Sequence, residues 1–309
     1  MKRLILIDLV AAAAVLALGC GGGAETSAAT GTTSSGGGGP STGSSAGGAG
    51  GAGGAGGGDA SSTSASSAST GGAGGVVDPS PAVQAAHELG TTTAPFGFYD
   101  YLPPGYNDGK SRPLMVFFHG LGENGNGTTD LASVLKNGPP KLIDQAQWPA
   151  DRPFVVISSQ WNGDNNCPSA DFIHSVIGWS VANYHIDAKR VYLTGLSCGA
   201  IGGWSYLGKY VDTEVAAAVL ISGAGKGAFT KQGCALTKTA IWAFHGDMDK
   251  TVLPDDDEFV MPQLIACPQP RQDQQFTLYP GVGHDAWTRT FDLSAGHDIY
   301  AWMLANPKP

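Results

Sequence analysis

The feature that most constrains this chain is a strand that runs directly into a helix, with a serine at the junction. Residues 191–194 are strand-forming, and the residues from 200 onward read as a helix. Between them, residues 195–199 (Gly-Leu-Ser-Cys-Gly) match the pattern Gly-x-Ser-x-Gly. Such a junction holds its central residue in a strained conformation, and small flanking residues let the backbone close around it. The hydroxyl of Ser197 is therefore expected to be exposed at the edge of a sheet.

Apolar runs alternate with helical patterns along the rest of the chain. The runs at residues 114–118, 154–158, 215–221 and 240–244 are typical of strands buried on both faces of a parallel sheet. Residues 98–102 read as an edge strand, residues 128–135 as a helix ended by Pro139 and Pro140, and residues 294–304 as the last helix. The alternation predicts an α/β protein with a doubly wound, mostly parallel sheet and helices on both faces.

Two further loops carry residues that can activate a serine. Residues 245–252 (His-Gly-Asp-Met-Asp-Lys-Thr-Val) and 281–287 (Gly-Val-Gly-His-Asp-Ala-Trp) each follow a predicted strand. Loops at the carboxyl ends of parallel strands meet at one edge of the sheet. A serine is a weak nucleophile until an imidazole, oriented by a carboxylate, takes its proton. The order of a serine, an aspartate and then His284 therefore predicts a catalytic triad with Ser197, and both aspartates of the first loop are candidates for its acid.

These motifs resemble those of the α/β-hydrolase superfamily, as does His119-Gly120 with its glycine-rich continuation. Within it, roughly residues 96–304 resemble the esterases of carbohydrate esterase family one, which contains feruloyl and acetylxylan esterases. Polyhydroxybutyrate depolymerase-like proteins and bacterial "predicted peptidase" relatives share the pattern. The resemblance implies the α/β-hydrolase fold and a carboxylic ester hydrolase, with no cofactor and no metal.

The resemblance also assigns roles to individual residues. In the family pattern His-Gly-x-x-Asp, the triad acid falls on Asp249, which leaves Asp247 to structure the loop. Ser197 is then the nucleophile and His284 the general base. The backbone N–H groups of Leu121 and Cys198 are expected to bind the oxyanion, and Gly122 is the alternative to Leu121.

Four cysteines follow the N-terminal region, an even number that allows three pairings. Cys234 and Cys267 flank the strand and loop that carry Asp249, and we expect them to form one disulfide. Cys167 and Cys198 would then form the second, which ties the loop of Trp161 to the elbow. The alternative is four buried thiols.

Other residues allow a functional and a structural interpretation. Trp161 and Trp287 are candidates for an aromatic wall that binds an aryl or sugar ring, or they only pack. His297 is a weaker rival of His284 and is expected to be structural. The acidic run at residues 255–258 is compatible with calcium binding, but a solvated helix N-terminus explains it better.

The N-terminal quarter has a different composition. Residues 1–20 have a basic start and an apolar run, and predict a secretory signal peptide. Cys20 resembles the lipidated cysteine of a bacterial lipoprotein; ordinary cleavage of the signal is the alternative. Residues 21–75 are almost entirely Gly, Ser, Ala and Thr, which predicts a disordered tether. Residues 76–309 are then the catalytic domain, on a protein secreted or anchored to the cell-envelope membrane through lipid.

The sequence thus predicts an exported serine esterase. Its expected substrates are feruloyl or acetyl esters of polysaccharide, or an aliphatic polyester. A formal net charge of −9 and the lack of a basic run argue against a nucleic-acid partner. A serine peptidase of the same fold and a non-catalytic surface-binding module are the alternatives.

Overall fold

A computed structural model describes residues 80–211, 214–268 and 272–309 of the chain. The predicted signal peptide (residues 1–20), the lipidation candidate Cys20 and the predicted tether (residues 21–75) lie outside the described residues.

Eight strands form one sheet in the described part of the chain. They are β1 (Val83–His87), β2 (Phe98–Leu102), β3 (Arg112–Phe118), β4 (Val155–Ser159), β5 (Ile186–Leu196), β6 (Ala217–Ile221), β7 (Ala240–Gly246) and β8 (Gln274–Tyr279). The strand order is β1-β2-β4-β3-β5-β6-β7-β8. Strand β2 runs antiparallel to both β1 and β4, and all other neighbours are parallel. The order reverses around β3 and β4, which is the pattern of a doubly wound sheet.

The central strands are apolar throughout because each contributes to two cores. In β3, Leu114, Val116 and Phe118 pack into one hydrophobic cluster. The alternate residues Met115 and Phe117 pack into the other. All five side chains are essentially buried, as the period of two along a strand requires when both faces are covered.

Helices cover both faces of the sheet. They are α1 (Gly138–Asp144), α2 (Ala170–Asn183), α3 (Cys198–Lys209), α4 (Lys226–Gln232), α5 (Asp255–Ile265), α6 (Trp287–Phe291) and α7 (Ile299–Ala305). Residues of α2, α3, α4 and α5 belong to the first cluster, and residues of α1, α6 and α7 belong to the second. The predicted fold class is therefore confirmed. No helix among the described residues is long and apolar enough to span a bilayer.

Three local predictions differ from the structure. An additional strand, β1, lies outside β2, so residues 98–102 are not the edge. Pro139 and Pro140 do not end a helix but begin α1, where the missing proline N–H would have no intrahelical acceptor. The helix expected at 294–304 begins only at Ile299, after the Asp298 side chain caps it by accepting from the Ala301 N–H.

Candidate active site

Ser197 occupies a strained turn at the end of the central strand β5. Its φ of 49° and ψ of −118° lie in a region that non-glycine residues rarely adopt. The two flanking glycines are sterically required. A Cβ on Gly195 would lie 2.7 Å from the carbonyl carbon of Gly199, and a Cβ on Gly199 would lie 2.0 Å from the carbonyl oxygen of Phe118. Helix α3 therefore packs directly on the end of β3, and the serine hydroxyl points out of the sheet edge.

His284 and Asp249 lie beside Ser197, on the loops that follow β8 and β7. The Oγ atom of Ser197 is 2.9 Å from Nε2 of His284, and Nδ1 of His284 is 2.7 Å from Oδ2 of Asp249. Because the carboxylate only accepts, Nδ1 carries the proton and Nε2 is left to accept from the serine hydroxyl. The structure therefore brings together the three residues predicted as a triad, in the tautomer that a general base needs.

The environment keeps Asp249 ionised. Its side chain is buried, and burial alone would raise the pKa of the carboxyl. Hydrogen bonds from His284 and from the backbone N–H groups of Thr251 and Val252 outweigh burial and lower the pKa below its usual value. The two backbone donors bind Oδ1, at 2.8 and 3.1 Å, and leave Oδ2 for the imidazole.

The two rival residues lie elsewhere. Asp247 accepts a hydrogen bond from the N–H of Gly281 at 2.7 Å, so it connects the loop after β7 to the loop after β8. His297 packs among three aromatic rings, those of Trp242, Phe244 and Tyr279. Both side chains therefore make contacts within the fold and not with Ser197.

The loop after β3 lies against the serine elbow. It forms a 3-10 helix (Leu121–Glu123) that starts directly after Gly120. A Cβ on Gly120 would lie 2.9 Å from Cδ1 of Leu196 and 3.7 Å from Cβ of Ser197. Leu121 begins this helix, and Cys198 is the first residue of α3. Backbone N–H groups at the start of a helix have no intrahelical acceptor, so both residues offer donors beside the serine.

Two buried polar residues fix this loop. Nε2 of His119 accepts from the N–H of Trp161 at 2.9 Å, while Nδ1 is 2.7 Å from the carbonyl oxygen of Gly120. Burial lowers the pKa of His119 to about 4, and the imidazole is therefore neutral. Glu123, which the sequence analysis did not single out, accepts from Nδ2 of Asn137 at 2.8 Å. Burial raises the pKa of its carboxyl, against the hydrogen bond from Asn137.

A largely apolar pocket of about 360 Å³ opens over the serine. Ser197 and His284 line it together with Leu121, Gly122 and Cys198. Its apolar lining comes from Leu196, Ile201, Val252 and Trp287. The ring of Trp287 stands edge-on to that of His284, with centroids 5.0 Å apart.

The two predicted aromatic-wall residues have different positions. Trp287 lines the pocket over the serine. Trp161 is not among the lining residues in the described part of the chain; it packs on Phe172, with ring centroids 4.7 Å apart. Its indole N–H donates to Oδ1 of Asn166 at 2.8 Å. The backbone N–H of Trp161 instead donates to Nε2 of His119 and so helps to hold the loop after β3.

A second pocket, of about 870 Å³, adjoins the first at Leu121. Its lining is polar and rich in amide side chains, with residues Asn124, Gly125, Asn126, Asp130, Asn162, Gly163, Asp164 and Asn165. We call it the polar groove. The polar groove therefore begins at Leu121, on one side of the apolar pocket that contains Ser197.

Two disulfides link the four cysteines in the favoured pairs. Cys167 bonds to Cys198, which attaches the segment before α2 to the first residue of α3. Cys234 bonds to Cys267, which joins the 3-10 helix Gly233–Lys238 to the chain just after α5. Each closes a loop of about thirty residues, which stabilises the fold by roughly 4 kcal/mol if its effect is mainly on the unfolded chain.

The acidic run at residues 255–258 forms the first turn of α5, as a solvated helix start would. Asp257 differs from this expectation because its side chain is fully buried and lies 3.0 Å from Nδ1 of His245. Within the described ranges, no group of three or more His, Cys, Asp or Glu side chains is arranged to hold a metal ion.

The sheet and the sharp turn at Ser197 define the α/β-hydrolase fold, and solved structures agree. A crystal structure of a thermostable esterase has a TM-score of 0.55 at 21% identity, covering 75% of this chain and 64% of that chain. The feruloyl esterase module from Clostridium thermocellum, complexed with sinapinate, has a TM-score of 0.50 at 18% identity, covering 75% and 91%.

The sequence itself resembles an esterase of the expected kind. Acetylxylan esterase A of Emericella nidulans is 27% identical over 139 residues, which make up 40% of this chain and 41% of that protein. The chain thus matches about two fifths of the length of this curated relative. No protein-family model matches the sequence. These comparisons confirm the predicted fold and the resemblance to the acetylxylan and feruloyl esterases.

Proposed function

We propose that the chain is a serine esterase that hydrolyses carboxylic esters through Ser197, His284 and Asp249. One observation carries the proposal: Ser197, on a strained turn at the base of an open pocket, lies 2.9 Å from an imidazole that a buried aspartate orients at 2.7 Å. A non-catalytic binding module would have no need for a strained serine in contact with an oriented base.

The geometry suggests the following course of reaction. Oγ of Ser197 attacks the ester carbonyl carbon while Nε2 of His284 takes the hydroxyl proton, and Asp249 stabilises the imidazolium. The N–H groups of Leu121 and Cys198 donate to the oxyanion of the tetrahedral intermediate. His284 then gives its proton to the leaving alkoxide, which departs as an alcohol and leaves an acyl-enzyme.

Water completes the cycle. It takes the place of the alcohol and gives a proton to His284 as it attacks the acyl carbonyl. The second tetrahedral intermediate collapses, His284 returns the proton to Oγ of Ser197, and the carboxylic acid leaves. The cycle needs only protein groups and water.

The two pockets support an ester of a polysaccharide over an aliphatic polyester. An acyl group bound over the serine would contact Trp287, Ile201 and Val252, in a space large enough for a hydroxycinnamoyl group. The alcohol side would then face the polar groove, where amide side chains match sugar hydroxyls. A polyester chain offers ester oxygens but few donors, and would leave that groove unsatisfied. The named relatives, an acetylxylan esterase and a feruloyl esterase module, are consistent with this choice.

The cysteines support a location outside the cytoplasm. Disulfides persist in oxidising compartments, and the structure has two. Together with the predicted signal peptide, they lead us to propose export, with Cys20 as the lipid-anchor site.

Hydrolysis of p-nitrophenyl acetate by the purified chain and by Ser197→Ala tests the proposal. We expect turnover in the first protein, none above background in the second, and the same circular dichroism spectrum in both. A fluorophosphonate should label the first protein alone. Equal turnover in both proteins would exclude Ser197 as the nucleophile. The absence of both turnover and labelling in the original chain would favour the binding module.

Comparison of substrates then tests specificity. Methyl ferulate, acetylated xylan, an aliphatic polyester and a peptide p-nitroanilide should be compared at equal enzyme concentration. We expect the polysaccharide-type esters to be hydrolysed fastest. Faster hydrolysis of the polyester would contradict the role assigned to the polar groove, and faster cleavage of the anilide would favour the peptidase.

A further inference from the structure

A second buried histidine lies behind the triad acid. His245 is the penultimate residue of strand β7, and its side chain is fully buried. Its Nε2 is 3.0 Å from the carbonyl oxygen of Val252 and 3.3 Å from Oδ2 of Asp249. Its Nδ1 is 3.0 Å from Oδ2 of Asp257, which is buried on the first turn of α5. A continuous chain of contacts therefore runs from Asp257 through His245 and Asp249 to His284.

The acceptors around His245 fix where its protons lie. Val252 O and Asp249 Oδ2 can only accept, so Nε2 carries a proton. Nδ1 faces a carboxyl oxygen, and two lone pairs cannot meet there without a proton between them. The pair of His245 and Asp257 therefore holds two protons and is neutral overall, whether the shared proton is nearer the imidazole or the carboxyl. Loss of one would leave a buried negative charge next to Asp249.

The surroundings of the pair resist that loss. Burial raises the pKa of Asp257, against its hydrogen bond from His245. Burial alone would lower the pKa of His245, but the hydrogen bond and charge of Asp257, with smaller contributions from Val252 and Asp249, raise it. The charged groups near His245 are Asp249 beside it, Asp256 and Asp257 on α5, and His284 across Asp249.

We propose that His245, held by Asp257, is a positioning residue for the triad: its Nε2–H donates to the carbonyl oxygen of Val252, whose own N–H binds Oδ1 of Asp249, and so it fixes that carboxylate for His284. The inference rests on the proposed function of Ser197. Oδ2 lies between two imidazoles, at 2.7 Å from His284 and 3.3 Å from His245. The N–H donor of His245 thus orients the carboxylate through Val252, and its positive end beside Oδ2 moderates the attraction between Asp249 and the protonated base.

Removing that donor has a specific consequence. Asp249 would hold the protonated form of His284 more strongly, so the base would stay protonated to a higher pH. The acid limb of the profile of kcat/KM against pH should therefore move to higher pH, by about one unit at most. A looser carboxylate should also lower kcat by about 10- to 100-fold, with little change in KM.

The kinetic test uses the full chain and a double substitution. His245→Leu with Asp257→Leu replaces the buried pair by apolar groups and leaves no unpaired carboxyl. His245→Gln is the conservative variant, because its amide N–H can still donate toward Val252 O and Asp249. Asp255→Asn, an exposed residue of the same helical turn, is the matched control. Rates are divided by the number of active sites that a fluorophosphonate titrates.

We expect the double variant to show the lower kcat and the shifted acid limb, His245→Gln to recover most of both, and Asp255→Asn to match the original chain. A double variant with a kcat per active site within threefold of the original and an unshifted acid limb would refute the positioning role. So would an equal loss in His245→Gln and the double variant.

A spectroscopic test does not depend on turnover. In Ser197→Ala, nitrogen-15 spectra of the imidazoles should show a protonated Nε2 and a hydrogen-bonded Nδ1 on His245 throughout the range in which the protein is folded. His245→Gln in the same background should remove both signals and so assign them. An Nε2 that loses its proton, or an Nδ1 with the chemical shift of a lone pair that has no hydrogen bond, would overturn the shared proton. If both signals are present but the original chain, with Ser197 in place, has no esterase activity, the pair is intact and only the proposed function is contradicted.

Discussion

Replacement of Asp249 by asparagine should inactivate the site by reversing one hydrogen bond. The N–H groups of Thr251 and Val252 bind Oδ1, so the carbonyl oxygen of the new amide will remain there. The amide NH2 must then take the place of Oδ2, facing Nδ1 of His284. An NH2 group only donates, so Nδ1 has to accept and the imidazole proton moves to Nε2. His284 would then donate toward Ser197 and could not take its proton.

The size of the loss follows from this change of tautomer. Holding the base in the wrong tautomer costs about 10⁴-fold in kcat in serine hydrolases, or roughly 5 kcal/mol of transition-state stabilisation. The new NH2 group also faces the Nε2–H of His245 across 3.3 Å, which adds an unfavourable contact between donors. Because the two backbone hydrogen bonds to the amide oxygen remain, we expect the free energy of unfolding to fall by no more than about 3 kcal/mol.

The assay compares kcat and KM for p-nitrophenyl acetate in the original chain, Asp249→Asn and Asp247→Asn, with urea denaturation of each. Asp247→Asn is the matched control, since it makes the same chemical change two residues away in a carboxylate that binds the Gly281 N–H. We expect Asp247→Asn to retain kcat within about threefold. Retention of more than a tenth of the activity by Asp249→Asn, or a larger loss in Asp247→Asn, would refute the assignment of the acid.

Three other changes test separate features. The folded pKa of His119 is about 4 and its usual value is 6.5, so as the pH falls the unfolded chain binds this proton before the folded chain does. The neutral His119 therefore contributes up to about 3 kcal/mol to the free energy of unfolding above pH 6.5, and this contribution is lost as the pH falls toward 4. Urea denaturation should show that the free energy of unfolding falls less steeply between pH 6.5 and pH 4 in His119→Gln than in the original chain. Trp287→Ala should lower the ratio of kcat/KM for methyl ferulate to that for p-nitrophenyl acetate about tenfold, since it removes an aromatic contact for the acyl ring, and an unchanged ratio would exclude Trp287 from acyl binding. Replacing Cys234 and Cys267 by serine should lower the free energy of unfolding by about 4 kcal/mol in urea and leave kcat unchanged; a loss below 1 kcal/mol would show that the loop is held by other contacts.

The central sheet and the residues of the proposed triad could be predicted from the sequence because each depends on a local pattern. Residues 114–118 of β3 and 240–244 of β7 are continuous apolar runs, which is typical of strands covered on both faces of a sheet. Ser197 and His284 each follow a parallel strand within a few residues, β5 and β8, so both lie at the carboxyl edge of the sheet. Gly195 and Gly199 were part of a motif whose reason is now visible: each approaches backbone too closely for a Cβ.

The residues that the sequence analysis missed depend on burial between distant segments. Strand β1 lacks a regular alternation of apolar and polar residues, and its strand form comes from pairing with β2. Glu123 stands three residues after Gly120, the spacing at which a glutamate can cap its own helix, but its burial follows from Asn137 and from Gln160, whose amide donates to the Glu123 carbonyl. Neither partner is close in sequence, so no local pattern revealed it.

Asp257 shows how an acidic run can conceal a buried group. Four consecutive acids at a helix start are explained by the helix dipole, and for an exposed side chain such as Asp255 that account suffices. Yet a helix of this pitch turns one of the four toward the sheet, and the residue there must either be apolar or find partners. Asp257 finds the N–H of Gly225 and the imidazole of His245. A buried carboxyl is costly to retain, and its partner here touches the triad acid. We therefore expect substitutions at the exposed positions of the acidic run to be tolerated, whereas a substitution of Asp257 should change the activity that depends on Ser197.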